Sequence, residues 1–325
     1  MPTISPLHSF EHLKLLADPR RLRILRLLMA GPASLTMLGE SLGEHPAWVR
    51  HHLKQLEAVG LVELVETRVA SGVVEKLYQA RASGLLVQEL ILPENPSHPA
   101  IVFSGSHDLA VELLAGQLSN HFNLLTLPVG SLDGLVTLRQ NLCNLSGAHL
   151  LDQNGEYNLP FVRHLFPDRT MQVVTLAHRE QGLITAPGNP KSIRTIADLA
   201  RADVTLVNRN TGSGTRLWLD RQFQAMGIRP ENVRGYETSV TTHTESARLV
   251  HCGAADVTIG LHAAAAQFGL EFIPLFHERY DLVFPQEQAA FIAPLLETIQ
   301  TGAFRRNVAA LNGYETTHTG EQIPL

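Results

Sequence analysis

The chain has 325 residues, of which 44% are hydrophobic and 18% are charged, a composition typical of globular proteins with two or three domains. Residues 1–85 carry ten Lys and Arg against eight Asp and Glu, and the remainder carries sixteen against twenty-three, so we expect any nucleic-acid contact in the first segment. The sequence shows no secretory signal, no membrane span and only two cysteines, which predicts a cytoplasmic protein without membrane contact or a disulfide framework.

The first sixty residues have the pattern of four helices. Leucines at helical spacing over 10–30 are interrupted by Asp18 and Pro19, which predicts two helices. A short helix from about Ser34, a turn over 43–46 and a second helix from Pro46 to Val59 follow. This order is typical of a helix-turn-helix, whose second helix enters the major groove of DNA.

A β-hairpin is predicted directly after these helices, because residues 61–80 alternate apolar and polar side chains on both sides of Ala70-Ser71-Gly72. A hairpin in this position is a wing that reaches phosphates or a minor groove. The charged residues of the open face are either DNA contacts, which we favour, or an ordinary solvated surface. Trp48 either packs on the sugar-phosphate backbone or shields the turn. The candidate DNA contacts are Trp48, Arg50, His51, Lys54, Arg68 and Lys76.

Residues 10–80 resemble the ArsR-like winged-helix repressors, especially through "ADPRRLRILRLL" and "VRHHLKQLEAVGLVE". The resemblance implies binding to double-stranded operator DNA as a homodimer. The resemblance also implies metal sensing through cysteine thiolates, which is common in this family. Neither cysteine lies in residues 1–85, and His45, His51 and His52 form no convincing ligand set. We therefore expect no metal site and look for the sensor elsewhere in the chain.

Residues 86–99 are expected to connect this module to the rest of the chain. A short apolar run precedes three prolines in "LVQELILPENPSHP". This pattern predicts a helical dimer element that ends in a linker.

From Ala100 onward, predicted strands alternate with helices. Residues 100–119 form one strand, turn and helix, residues 124–141 repeat that plan, and further strands are predicted within 148–152, 171–188 and 204–210. This alternation favours a parallel α/β sheet that binds ligands at the carboxyl ends of its strands.

Three strand-to-helix turns, at residues 105–108, 130–133 and 211–215, offer small hydroxyl side chains and free backbone N–H groups. Singly, each is an ordinary helix cap; if their strands share an edge or a cleft, they converge on one anion. The third turn is glycine-rich, but Gly214 is followed by Thr215 and Arg216, so it is not a P-loop.

Residues 100–285 resemble the cytoplasmic relatives of molybdate-type periplasmic binding proteins that are attached to bacterial regulators. The matching stretches include "GSHD", "GAHLLD", "REQGLITAPGNPKSI", "DLARADVTLVNRNTGSGTRLWLD" and "GAADVTIGLHAAA". The resemblance implies a two-lobed clamp with lobe one at 100–185 and 278–320, lobe two at 188–275, and crossings near 187–190 and 274–275. It implies molybdate or tungstate as ligand and no cofactor. The departure "ETSVTTHTESARLVHCG" and the presence of Arg216 leave a small organic acid open.

Ten residues are predicted to hold the ligand, because neutral donors and helix N-termini select small anions. Arg216 either pairs with an anionic ligand or ties its loop to Asp220. Arg179 and Gln181 either close the site or support it from behind, and Asp281 is predicted to be a hinge acceptor, since a carboxylate repels an anion. The ten are Ser104, Ser106, His107, Ser131, Asn208, Arg209, Ser213, Thr215, Arg216 and Tyr280.

The predicted fold class is α/β overall, with a winged helix-turn-helix at 1–85 followed by a two-lobed type II periplasmic-binding-protein-like domain at 100–320. The leading hypothesis is a one-component transcriptional regulator that senses a small anion. The alternatives are a cofactor-assembly or biosynthetic enzyme, a sensor of a small organic acid, and an architectural DNA binder without a ligand. No Ser-His-Asp spacing or nucleophile elbow is visible in the sequence, so an enzyme is not expected.

Overall fold

The structure is a computed structural model that describes residues 4–7, 10–70, 73–87, 90–92, 97–120 and 122–325. The chain divides into two compact units, Met1–Leu92 and Pro93–Leu325. Within the described residues, no helix is long and apolar enough to cross a bilayer.

Unit one contains the four helices that the leucine spacing predicts. Asp18 caps the second helix through the backbone N–H of Arg20 (2.9 Å), and Ser34 caps the third through Met37 (3.3 Å). These caps satisfy N–H groups that a helix start leaves free, while the apolar faces pack into one core. The helices are α1 (Phe10–Leu16), α2 (Pro19–Ala30), α3 (Leu35–Leu42) and α4 (Pro46–Ala58).

The predicted hairpin is confirmed as β2 (Val62–Ala70) paired antiparallel with β3 (Val73–Ala80), and its turn residues 71–72 lie outside the described part of the chain. A second pair was not predicted: β1 (Ile4–Leu7) lies parallel to β4 (Gly84–Val87).

The helix predicted from residue 86 is wrong wherever the structure describes this segment, and its role in a dimer stays a prediction. Residues 86–87 belong to strand β4, and neither 90–92 nor 97–98 is helical; residues 88–89 and 93–96 lie outside the described part. A short apolar run cannot be assigned to helix or strand by periodicity alone, and here the pairing with β1 decides for a strand.

Unit two is built on a mixed sheet in the order β11-β8-β12-β7-β5-β6. β5 runs parallel to β6 and β7, but β12 is antiparallel to both β7 and β8, and β11 is antiparallel to β8. The expectation of a parallel sheet is therefore only partly right, because strands buried on both faces have the same apolar sequence pattern in either direction. The strands are β5 (Ala100–Gly105), β6 (Asn123–Pro128), β7 (Leu145–Ala148), β8 (Met171–Thr185), β11 (Val257–Leu261) and β12 (Glu271–Pro285).

The long strands β8 and β12 join two lobes. Residues 171–175 of β8 pair with 281–285 of β12 near β7, whereas residues 181–185 of β8 pair with β11 and with the start of β12. The chain thus passes between the lobes in the middle of these strands, near 176–180 and 277–280. The predicted crossing at 187–190 lies past the end of β8, and the one at 274–275 coincides with a β-bulge in β12.

Helices flank the sheet on each lobe. Two apolar cores each lie in one lobe, around Leu135 in lobe one and around Phe223 in lobe two. A third and larger core includes residues of both lobes, such as Leu114 and Val250. Lobe one carries α5 (Leu109–Leu118), α6 (Ser131–Arg139), α7 (Leu159–Leu165), α11 (Ala293–Gln300) and α12 (Gly302–Ala309), and lobe two carries α8 (Gly214–Met226), α9 (His243–His251) and α10 (His262–Gln267). The short strands are β9 (Asn208–Arg209), β10 (Ser239–Val240), β13 (Tyr314–Glu315) and β14 (Gln322–Ile323).

Candidate functional site

A basic groove lies in unit one between α3, α4 and the hairpin. Its volume is about 620 Å³, and its lining includes Arg50 and Lys54 from α4 and Lys76 from β3. All three of these side chains are exposed. A helix and a wing that present cations to one groove can contact DNA phosphates from two sides.

The other predicted DNA contacts lie around this groove. His51 is exposed on α4 and lies 3.4 Å from the side-chain nitrogen of Gln55, while Arg68 pairs with Glu75 across the hairpin at 2.8 Å. Trp48 was expected on the open face, but it is half-buried against the core and against the ring of His52, 4.5 Å away. Trp48 and His52 lie one helical turn apart and therefore share a face of α4. Because His52 points inward, Trp48 packs toward the core and not toward the open face. Two roles were left open for Trp48, packing on the sugar-phosphate backbone or shielding the turn, and this packing agrees with the second.

In unit two, the three polar turns meet between the lobes. The backbone N–H of Gly130 donates to the carbonyl of Gly105 at 3.0 Å, and the N–H of Leu132 donates to Gly212 across the cleft at 3.2 Å. Asp108 caps α5 through Ala110, at 2.7 Å. The turns therefore form one interlobe surface, as they would if their strands share a cleft.

A chain of buried hydrogen bonds runs through this surface. The Ser106 hydroxyl lies 2.9 Å from Nε2 of His149, and Nδ1 of His149 lies 2.7 Å from Oε2 of Glu278. From lobe two, the backbone of Gly214 packs so closely on the His149 ring that a Cβ would lie 2.6 Å from it. His149 is thus a point where the lobes touch.

Arg179 is the centre of this buried network. Its guanidinium donates to Asp108 and to Oε1 of Glu278 (2.7 Å), and it lies 4.2 Å from the centre of the Tyr280 ring. The side-chain amide of Gln181 also donates to Glu278, at 2.6 Å. Arg179 and Gln181 therefore support the site from behind, one of the two roles left open for them.

The network fixes the protonation of its members. Burial alone would raise the pKa of Glu278, but its contacts with His149, Arg179 and Gln181 outweigh burial and lower it to about 2. Burial also lowers the pKa of His149 despite the adjacent carboxylate. The ring is therefore neutral at neutral pH, and with Glu278 ionised we assign its proton to Nδ1.

Arg209 differs from Arg179 because it has no carboxylate partner among the described residues. It is 1% exposed, it donates to the carbonyls of Val240 (3.4 Å) and Thr241 (2.7 Å), and its Nη1 has no partner. Burial and then the charge of Arg179 lower its pKa to about 9. The Nη2 of Arg179 is also unpaired. Two buried guanidinium groups thus have N–H groups left to donate.

His243 lies close to these cations. Both of its ring nitrogens are unpaired, and burial followed by the charge of Arg209 places its pKa well below the usual range. Its backbone N–H donates across the cleft to Nδ1 of His107 at 3.3 Å, and Nε2 of His107 lies 2.7 Å from Glu112.

A cavity of about 420 Å³ opens between the lobes next to these residues. Its lining includes the 106–108 turn and Thr242, directly before α9. One wall is apolar. The lining residues are Phe103, Ser106, His107, Asp108, Val111, Glu112, Thr126, Pro128, Thr242, Thr244, Glu245 and Arg248.

The structure places the ten predicted ligand residues in three groups. Ser106 and His107 line the cavity. Seven are buried behind it or at the lobe contact: Ser104, Ser131, Asn208, Arg209, Ser213, Thr215 and Tyr280.

The tenth, Arg216, is directed elsewhere. It pairs with Asp220 at 3.0 Å and stacks on the Tyr236 ring at 3.8 Å, so of its two open roles the structure shows the tie to Asp220.

The polar contacts of the buried residues are structural. Ser131 accepts from the His149 backbone (3.2 Å), Ser213 caps α8, Thr215 donates to Gln181 (3.0 Å), and the Tyr280 hydroxyl donates to the Ser106 carbonyl (2.5 Å). As predicted for a hinge acceptor, the buried Asp281 accepts from Asn158 and Arg279.

Sequence reasoning missed several site residues. Asp108 and Glu278 neutralise Arg179, and Thr242, Thr244 and Arg248 line the cavity. The "GSHD" turn gave a signal for Asp108 as a helix cap, but no pattern in a single sequence shows that Glu278 faces Arg179. Among the described residues, no group of three His, Cys, Asp or Glu is arranged for a metal ion.

Comparison with known proteins now identifies both units. Residues 16–65 match a helix-turn-helix domain, and residues 111–300, more than half of the chain, match the PBP superfamily domain. The chain belongs to the PBP superfamily. This membership and the mixed sheet confirm the predicted fold class, a helix-turn-helix region followed by a PBP-like α/β domain.

Relatives of this PBP-superfamily chain include one that matches most of its length and one that matches about a quarter of it. The uncharacterized protein YvgK of Bacillus subtilis is 35% identical over 233 residues, which are 71% of this chain and 75% of YvgK. The HTH-type transcriptional regulator NmtR of Mycobacterium tuberculosis is 36% identical over 83 residues, which are 26% of this chain and 68% of NmtR.

A solved structure supports the fold of the second unit alone. It is a crystal structure from Clostridium perfringens, assigned as a phosphate ABC transporter substrate-binding protein with bound phosphate. The match is 14% identical, covers 66% of this chain and 99% of that chain, and has a TM-score of 0.50. Both domain types of the present chain are regulatory or ligand-binding rather than enzymatic. A helix-turn-helix suggests a DNA-binding regulator, and a PBP-like domain suggests binding of a small ligand.

Proposed function

We propose that this protein is a one-component transcriptional regulator of the ArsR-like winged-helix type, which binds operator DNA as a homodimer and senses a small anion in its PBP-like domain. The DNA-binding part of the proposal is supported by the basic groove, where Arg50, Lys54 and Lys76 from helix and wing face the same space. Half-sites about one DNA turn apart would then match the two copies of α4.

The anion-binding part rests on one observation, the buried and uncompensated charge of Arg209. A buried cation is costly unless a counter-charge and hydrogen bonds satisfy it. Arg179 has two carboxylates for this purpose, whereas Arg209 has only backbone carbonyls and an N–H group without a partner. An anion that enters between the lobes supplies the missing charge, and the same interlobe turns supply neutral donors.

Ligand binding is tested by thermal unfolding of the full chain with molybdate, tungstate, sulfate, phosphate and small carboxylates. A ligand that binds only the folded protein stabilises it by mass action, about 2.7 kcal/mol at a hundred times its Kd. We expect at least one anion to raise the Tm of the wild-type protein. We expect Arg209→Met to lose that rise, because it removes the unpaired cation.

Two controls make this test specific. Arg234→Met removes an exposed arginine of lobe two and should leave the anion-induced rise unchanged. Without ligand, Arg209→Met removes a buried charge but also loses two hydrogen bonds to backbone carbonyls, so we expect only a small change in Tm. Absence of a rise with every anion, or an equal rise in Arg209→Met, would contradict the proposal.

A second candidate function, acyl transfer, is favoured by one observation: Ser106, His149 and Glu278 are hydrogen-bonded in the order of a nucleophile, base and acid. Against it, Ser106 has no exposed surface, so the lobes would have to open before its hydroxyl could attack. A fluorophosphonate probe that labels Ser106 in the wild type but not in His149→Ala would establish this chemistry. Without labelling, the three residues are a structural tie between the lobes.

A further inference from the structure

We infer that the ligand of the interlobe cavity is an organic acid with an apolar body, and not a bare tetrahedral oxyanion. The inference rests on the proposed anion-binding function and assigns a chemical class to its ligand. It is carried by the size of the cavity, by its apolar wall and by the donors beside Thr242.

The cavity is too large for an inorganic oxyanion alone. A tetrahedral oxyanion has five heavy atoms. Its volume is roughly 100 Å³, equal to that of three or four water molecules at about 30 Å³ each. The cavity between the lobes measures about 420 Å³, within the range of about 300–1,000 Å³ that is typical of pockets for organic ligands. An oxyanion would therefore leave most of this space to water.

The wall of the cavity also favours carbon over oxygen. Phe103, Val111 and Pro128 contribute side chains that offer no hydrogen bond. Oxyanion oxygens placed against this wall would lose hydration without replacement, which is costly. Methylene or ring carbons in the same place would instead stabilise the complex, because moving apolar surface out of water lowers the free energy.

Donors for the acid group lie beside Thr242, which lines the cavity. Arg209 donates to the carbonyl of Thr241, directly before Thr242. Thr244 adds a buried hydroxyl without a partner on the same lobe. An acid group here lies near the unsatisfied donors, while the carbon body extends along the apolar wall.

The remaining charged residues of the cavity are negative on balance. The carboxylate of Asp108 is bound by Arg179, but Glu112 lies against His107, whose Nδ1 accepts the N–H of His243, so the Glu112 charge is not cancelled. Glu245 and Arg248 have opposite charges and lie three residues apart on α9. We therefore expect one acid group on the ligand and not two.

Calorimetric titration of the full chain with acetate, butyrate and hexanoate, and with phosphate and molybdate, tests the inference. Each additional buried methylene should raise the affinity about fourfold, so hexanoate, with four more methylenes, should bind about 250-fold more tightly than acetate. It should also bind more tightly than either oxyanion. Equal affinities along the series, or tighter binding of phosphate or molybdate than of every carboxylate, would overturn the inference.

A pair of tryptophan variants locates the effect. Thr126 lines the cavity opposite Phe103 in the β5–β6 register, whereas the neighbouring Leu125 is exposed but does not line it. Thr126→Trp should fill part of the cavity and lower the affinity for hexanoate at least tenfold, with less than a twofold change for phosphate. Leu125→Trp, on the other face of the same strand, should change neither.

The outcomes separate this inference from the proposed function. Binding of oxyanions alone, or an equal loss of phosphate and hexanoate in Thr126→Trp, contradicts the organic-acid inference and leaves anion sensing intact. If none of the five anions binds the wild-type protein, the proposed anion sensing itself fails.

Discussion

At the scale of single residues, Arg179 and Arg209 show how much chemistry depends on partners that are distant in sequence. Both side chains are fully buried, but the pKa of Arg179 is raised because Glu278 and Asp108 outweigh burial, while that of Arg209 is lowered to about 9. From the sequence, Arg209 was predicted to hold the ligand, whereas Arg179 was predicted either to close the site or to support it from behind. It could not predict their opposite environments, because these depend on which strands cross between the lobes.

The buried histidines predict a pH-dependent stability. Burial lowers the pKa values of His149 and His243 in the folded protein, so the unfolded chain binds more protons below about pH 6.5. The stabilising contribution is present above that pH and is lost as the pH falls. Between pH 6.5 and 5, we expect the free energy of unfolding to fall, by at most about 2 kcal/mol for a ring that stays neutral throughout this range.

Urea unfolding measures this effect in the second unit alone. The chain has two tryptophans, so in a Trp48→Phe background the fluorescence of Trp218 reports on the PBP-like domain. His243→Leu should reduce the pH dependence by one histidine's share, and His277→Gln, at a side chain that is 75% exposed, should not change it. A flat profile between pH 6.5 and 5 would show that these rings are not held neutral.

At the scale of elements, structures formed by local interactions could be predicted from the sequence, and those formed by distant ones could not. The four helices and the wing were predicted because helical spacing, Asp18 and Ser34 as caps, and strand alternation are local signals. The β1–β4 pair was missed because it joins residues about eighty positions apart. For the same reason, the directions of β8 and β12 could not be distinguished from those of parallel strands.

The recognition helix provides the prediction at this scale. Arg50→Ala with Lys54→Ala should weaken operator binding by at least about tenfold and reduce the slope of log affinity against log salt by about 2, if both residues contact phosphates. Fluorescence anisotropy at several salt concentrations, with an operator selected from random duplex DNA, measures both quantities.

The matched control removes two cations from another helix. Arg23 and Arg26 are exposed on α2 and do not line the basic groove, so Arg23→Ala with Arg26→Ala should have a much smaller effect. Equal losses in the two double variants would mean that net charge, and not the groove, determines binding. Unchanged anion binding by unit two would exclude misfolding of that unit as the cause.

At the scale of the whole molecule, a regulator requires that its two units influence each other. If the anion prefers one state of the protein, it changes DNA affinity by a factor that is typically 5–150 in allosteric proteins, and DNA must change anion affinity by the same factor. We expect this reciprocity for hexanoate and the selected operator, measured by anisotropy with saturating hexanoate and by calorimetry with saturating DNA. Hexanoate binding that leaves DNA affinity unchanged would argue against a sensor and for two independent activities.

The close approach of Gly214 to His149 has a practical consequence for trapping conformations. Gly214 opens α8 in an ordinary helical position, and its φ is not positive, so alanine fits there without local backbone strain. The added methyl group would nevertheless lie 2.6 Å from the His149 ring, and this steric clash should hold the two lobes apart. Gly214→Ala should therefore trap the domain in an open state, which serves as a reference for ligand-induced closure.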